Sequence, residues 1–139
     1  MSVLVLDASV AVAWCFPDQR NAFTLRILDE VAAGFGVVPD LWTLEVSNAL
    51  VVAERKGWLT AEQSSLFLRE LGSLPLEIEA VSGARAFGRI LGLARAHRLT
   101  AYDACYLELA DRMGLPLATE DDTLRRAARS EGVALVSAS

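Results

Sequence analysis

Val3-Leu4-Val5-Leu6-Asp7-Ala8-Ser9 is the stretch on which the reading of this chain turns. Four apolar residues without polar alternation describe a short strand covered on both faces, as in a parallel sheet. An acid follows directly and leads into residues 10–16, which read as a short helix capped near Ser9 and stopped before Pro17. In open α/β sheets ligands bind at the carboxyl ends of the strands, so Asp7 stands where a functional acid belongs. A helix N-cap or turn residue is the plainer role for the same aspartate, and both readings stay open.

The remaining segments repeat the alternation of strand and helix. Residues 21–33 carry Phe23, Ile27, Leu28 and Val31 at helical spacing before Gly34, and 36–39 form a second strand. Asp40 is a suitable N-cap for a long helix over 41–56, which Gly57 ends. Thr60 and Gln63 make a capping-box pattern that opens a helix reaching about Leu71. A third strand is expected over 74–78, then a helix over 82–97 weakened by Gly83, Gly88 and Gly92. A helix over 100–113, a strand over 115–119, a helix over 122–130 and a strand over 133–136 complete the series. This order predicts a three-layer α/β/α sandwich around a parallel sheet of about five strands. No linker, repeat or low-complexity segment interrupts residues 1–139, so a single domain is expected.

With 139 residues, 53% hydrophobic and 22% charged, the chain can bury a core of its own. Cys15 and Cys105 are too few and too far apart for a disulfide framework or a zinc motif; free thiols in a reducing cytosol are expected. The start lacks a basic region, and no run approaches the ~18 apolar residues of a membrane helix. A cytoplasmic protein without a membrane span is therefore expected. The net charge is −5, and removing four candidate acids (Asp7, Glu45, Asp103, Asp121) leaves −1. Of thirteen basic residues only Lys56 is a lysine, and arginine suits planar contact with phosphate or carboxylate. This balance permits a nucleic-acid substrate without predicting one.

The other three acids are singled out by their apolar surroundings. Carboxylates avoid interiors unless paired or bound to metal, because desolvating an ionised group is costly. At ~100° per residue, Glu45 lies opposite Glu54, nearly opposite Thr43, and in line with Leu41 and Val52. Glu45 is thus expected to face the protein, with Asn48 three residues on. A buried glutamate satisfied by a local donor is the alternative. Asp103 fits a capping box begun by Thr100, yet it lines up with Leu107 and Ala110 and away from Arg112. A cap acid can still bind metal through its free oxygen. In Glu120-Asp121-Asp122 one acid is expected to cap a helix and one could be a ligand; charge does not choose between Asp121 and Asp122. His97, the lone histidine, fits a plain role at a helix end, and a zinc site is not expected. There is no Gly-rich phosphate loop, Gly-x-Ser-x-Gly or Ser/His/Asp set.

Four stretches in order carry a family resemblance. They are Val5-Leu6-Asp7-Ala8-Ser9, Pro39-Asp40-Leu41-Trp42-Thr43-Leu44-Glu45-Val46-Ser47-Asn48-Ala49-Leu50, Leu99-Thr100-Ala101-Tyr102-Asp103-Ala104 and Pro116-Leu117-Ala118-Thr119-Glu120-Asp121. Together they resemble the PIN-domain family, especially the VapC-like toxins of bacterial and archaeal toxin–antitoxin pairs, over nearly the whole chain. The resemblance implies Asp7, Glu45 and Asp103 as core acids and Asp121 as the fourth, all four catalytic and metal-binding. It makes Thr119 the hydroxyl two residues before Asp121 and Asn48 the polar partner of the glutamate, with Ser9 as a further supporting residue. Asp122 departs from the basic or neutral residue often found there.

The implied activity is a Mg²⁺- or Mn²⁺-dependent endoribonuclease, hydrolysing RNA phosphodiester bonds through a metal-activated water. Oxygen-only ligands are consistent with such a hard cation. A homodimer and a cognate VapB-like antitoxin are implied as well. Trp58, Leu59, Leu66 and Phe67 are the apolar candidates for receiving the antitoxin, and core packing explains the same residues. A catalytically inactive PIN-like module binding RNA or protein is the alternative function. A receiver-type phosphotransfer domain wants a lysine near its pocket, whereas Lys56 lies at the far end of a helix. A Rossmann nucleotide domain would need glycines after the first strand.

Overall fold

The core is organised around β1 (Val3–Leu6), whose Leu4, Val5 and Leu6 are fully buried, in a computed structural model that describes residues 3–137. A strand buried on both faces needs partners along both edges and cover above and below. Its edge partners are β2 (Phe35–Pro39), in register Val3 to Phe35, and the two-residue β4 (Leu117–Ala118), in register Val5 to Leu117. β3 (Leu76–Glu79) lies outside β2, giving an all-parallel sheet in the order β3-β2-β1-β4. The fifth strand expected over 133–136 is reduced to one bridge between Leu117 and Leu135. There the Leu117 amide donates to the Ala134 carbonyl at 2.9 Å and the Val136 amide to the Leu117 carbonyl at 3.0 Å. With only two residues in β4, no longer ladder is available to that segment.

Parallel neighbours need crossovers, and helices supply them. α1 (Ala8–Cys15) begins at Ala8, so Asp7 rather than Ser9 takes the N-cap position. α2 (Ala22–Ala33) opens on a capping box between Asn21 and Thr24 and packs on β1 and β2. α3 (Leu41–Arg55) follows β2. Asp40 precedes it without capping it; its Oδ2 accepts instead from the Val81 amide at 3.3 Å. α4 (Ala61–Gly72) carries the expected box between Thr60 and Gln63.

Residues 82–97 are helical but irregular. α5 (Gly83–Arg85) passes through a π-helical stretch, Ala86–Ile90, into α6 (Leu91–His97). Arg98 then ends α6 in the left-handed conformation at φ 54°, a region non-glycine residues seldom enter. α7 (Ala101–Met113) buries every residue from Ala104 to Ala110 and packs on β1, β2 and β4. A helix buried all round its middle is a core element, and the one acid in that run, Glu108, is paired with Arg85 and Arg112. α8 (Asp122–Ser130) packs on α7. With α2 and α7 both covering β1 and β2, the molecule has the expected layered α/β architecture. Among the described residues, no helix is long and apolar enough to cross a membrane.

Candidate active site

β1 and β4 end side by side, because the Asp7 amide donates to the Ala118 carbonyl at 3.1 Å. Asp7 and Thr119 therefore emerge together at the carboxyl edge of the sheet. Asp7 is only 5% exposed, and its Oδ2 accepts from the Ser9 hydroxyl and the Thr119 hydroxyl, each at 2.7 Å. Burial pushes its carboxyl above the usual range, the Ser9 and Thr119 hydroxyls pull it partly back, and the charge of Asp121 adds to the rise. The side chain makes no capping bond to α1.

Glu45 is half-buried in the second turn of α3, and its Oε1 accepts from the Tyr106 phenol at 2.5 Å. Burial raises the Glu45 carboxyl, the bond from Tyr106 lowers it, and the charges of Asp7 and Asp103 raise it again. Burial and then Glu45 drive the Tyr106 phenol upward, so it stays protonated as the donor. Asp103 is half-buried in the first turn of α7, where its amide donates to the Thr100 hydroxyl at 3.0 Å. Its carboxyl is raised by burial and then by Asp7 and Asp121, and lowered by Thr100. Asp121 is exposed at the N-cap of α8, with Oδ1 accepting from the Leu124 amide at 2.8 Å. Its own amide donates to the Thr119 hydroxyl at 3.1 Å.

These influences trace one connected cluster: Asp7 feels Asp121, Glu45 feels Asp7 and Asp103, and Asp103 feels Asp7 and Asp121. Asp7, Asp103 and Asp121 lie at the cap or in the first turn of a helix, where the positive end of the helix dipole favours negative charge, and Glu45 lies one turn further in on α3. Within the run 120–122, Glu120 accepts from the Asn21 amide group at 2.8 Å, and Asp122 is exposed. Asp121 is the member of that run whose charge reaches Asp7 and Asp103.

The expected supporting residues divide. Ser9 and Thr119 hold Asp7 directly. Asn48 is exposed and makes no hydrogen bond to Glu45, because its position turns outward on α3. Tyr106 occupies that role instead, and the sequence reading missed it. The available clue was its place three residues after Asp103, together with the need of a buried phenol for a partner. Arg125 was missed too: its Nε donates to the Thr119 carbonyl at 2.7 Å while its guanidinium lies 5.0 Å over the Phe23 ring. That contact steadies the segment bearing Thr119 and Asp121. His97 meets Glu131 at 2.6 Å at the end of α6, in keeping with the structural role expected of it.

The donors available at this edge are carboxylate oxygens, the chemistry that hard divalent cations prefer. The side-chain hydrogen bonds to Asp7 fall on Oδ2, the bond from Tyr106 falls on Glu45 Oε1, and the capping bond of α8 falls on Asp121 Oδ1. As the side chains stand, no three His, Cys, Asp or Glu among the described residues are close enough to hold one ion. The donor type therefore fits a hard cation, although the described side chains as they stand do not form a closed ligand set. Away from the acids, a groove of about 640 Å³ is lined by Trp14, Phe16, Arg20, Trp58, Leu66 and Phe67, among others.

An acidic cluster at the carboxyl edge of a parallel sheet can be compared with known proteins. The PIN domain profile matches residues 4–130, from β1 to the end of α8. The chain belongs to the PIN domain family. Among PIN relatives, Ribonuclease VapC3 of Pyrobaculum aerophilum is 32% identical over 121 residues, covering 87% of this chain and 91% of the relative. Two solved structures share the PIN architecture. PAE2754 from Pyrobaculum aerophilum superposes with a TM-score of 0.67 at 22% identity, covering 91% of this chain and 84% of the other. FitAcB from Neisseria gonorrhoeae superposes with a TM-score of 0.67 at 18% identity, covering 97% of both chains.

Proposed function

We propose that this PIN protein is a Mg²⁺- or Mn²⁺-dependent endoribonuclease, the toxin of a toxin–antitoxin pair, acting in the cytoplasm. What supports the reading is the mutual electrostatic influence among Asp7, Glu45, Asp103 and Asp121, in a chain 32% identical to Ribonuclease VapC3. Asp7, Glu45, Asp103 and Asp121 hold the cation, with Ser9 and Thr119 orienting Asp7. When bound, the divalent ion supplies a Lewis acid that lowers the pKa of the attacking water and offsets charge on the phosphate. Clustered carboxylates repel one another, and their raised pKa values mean that a cation competes with protons for the site. The rim, with Asp103 half-buried and Asp121 exposed, leaves the cluster open to a phosphodiester, whereas Asp7 is shielded at its base.

The test is cleavage of RNA in the presence of Mg²⁺ or Mn²⁺. Asp7→Asn and Asp103→Asn are each expected to abolish cleavage while keeping the fold, as read by circular dichroism. Full activity in both variants would remove these two residues from the mechanism. A pure binding module has no need of four mutually repelling acids. RNA bound but left intact in metal would favour that alternative.

The same reading assigns partners. The groove containing Trp58, Leu66 and Phe67 is the seat proposed for a VapB-like antitoxin segment, since it offers apolar pockets beside Arg20 and Glu70. A homodimer is proposed on the exposed side of α3, where Leu44 and Val51 are 73% and 42% exposed at a spacing of seven.

A further inference from the structure

We infer that Tyr106 is a positioning residue for Glu45 and so a working part of the reaction centre. The inference rests on the RNA-cleaving reading above and adds a residue to it. Tyr106 has no exposed surface, and its hydroxyl reaches across from α7 to Glu45 Oε1 on α3 at 2.5 Å. Glutamate has three side-chain torsions, and Glu45 is half-buried, so without a fixed donor its carboxylate would spread over many positions. The phenol is anchored by the core around α7, where Cys105, Tyr106 and Leu107 are all buried. It therefore passes the rigidity of the core to Oε1 and leaves Oε2 for a cation.

The same helix carries Asp103 one turn earlier. α7 consequently sets two acids of the cluster, one through its own side chain and one through the phenol. Groups that orient the ligands of an ion in this way control both its affinity and its reactivity. If Tyr106 were only a filler of the core, phenylalanine would serve as well.

Tyr106→Phe keeps the ring and removes one hydroxyl. The expected result is a kcat for RNA cleavage reduced by roughly 10–100-fold at nearly unchanged KM. Mn²⁺ binding by calorimetry, in the absence of RNA, is expected to weaken over the same range. In a Glu45→Ala background, which removes the acceptor, the further change Tyr106→Phe is expected to add nothing to either loss. Wild-type kcat and Mn²⁺ affinity in Tyr106→Phe would overturn the inference, and so would a full additional loss in the double variant.

Should Tyr106→Phe fail to fold, 3-fluorotyrosine can be placed at position 106 alone in a Tyr102→Phe background, because the chain has two tyrosines. Its fluorine resonance is expected to move on addition of Mg²⁺, and an unmoved resonance overturns the proposal. A wild type that binds Mn²⁺ but cuts no RNA counts against the nuclease reading; the calorimetry then decides the role of Tyr106 separately.

Discussion

At Asp7 opposing influences meet on one carboxyl group. Burial and the charge of Asp121 favour its protonated form, while Ser9 and Thr119 favour the ionised one. Asp7, Glu45 and Asp103 all have folded-state pKa values raised above those of the unfolded chain. Between the ordinary carboxylate values and the raised ones, the native state thus binds more protons than the unfolded state. Stability contributed by these groups is present below that window and is lost as pH rises through it. In chelator, the melting temperature is expected to carry a falling component across this window, and Asp7→Asn, which cannot ionise, is expected to reduce it. An identical pH profile in the variant would show that Asp7 contributes nothing. The apolar neighbours of Asp7, Glu45 and Asp103 made these acids conspicuous in the sequence. Tyr106 stayed hidden because α7 is buried from Ala104 to Ala110, so periodicity distinguishes no face there.

Among the elements, α8 shows how one side chain serves both architecture and the electrostatics of the acidic cluster. Asp121 caps the helix through Leu124, and it also acts electrostatically on Asp7 and Asp103. Asparagine keeps the capping oxygen and discards the charge; alanine discards both. Asp121→Asn is expected to melt near wild type but to lose cleavage. Asp121→Ala is expected to lose cleavage and about 0.5–2 kcal/mol of stability, measured by urea unfolding. Equal stability in the two variants would show that the cap contributes little.

Strands and helices were largely legible from apolar runs and from capping pairs such as Thr60–Gln63, whereas the box between Asn21 and Thr24 shows only in the fold. The segment 133–136 has the composition of a strand, but pairing depends on the length of its neighbour, and β4 offers two residues. The π-helical passage within 82–97 was equally out of reach, since its glycines signalled weakness without specifying the form it takes.

For the molecule as a whole, a cation that binds the folded cluster and not the unfolded chain must raise stability by mass action. Millimolar Mg²⁺ at neutral pH is expected to raise the melting temperature over that in chelator, with a gain of about 2.7 kcal/mol at one hundred times the dissociation constant. The gain is expected to vanish in Asp7→Asn; no difference between Mg²⁺ and chelator in the wild type would count against the metal site. Light scattering tests the homodimer: Leu44→Glu with Val51→Glu is expected to yield monomers, and an unchanged mass would place any interface elsewhere.

The parallel sheet has one more consequence. Its inner strand β1 comes first among the described strands, yet its neighbour β4 follows only after more than a hundred further residues. Asp7 therefore waits for Thr119 and Asp121 to arrive from the far end of the chain. A stretch of this fold that stops before β4 holds Asp7 without the Thr119 hydroxyl, so the acidic edge of the sheet forms only when segments more than a hundred residues apart have met.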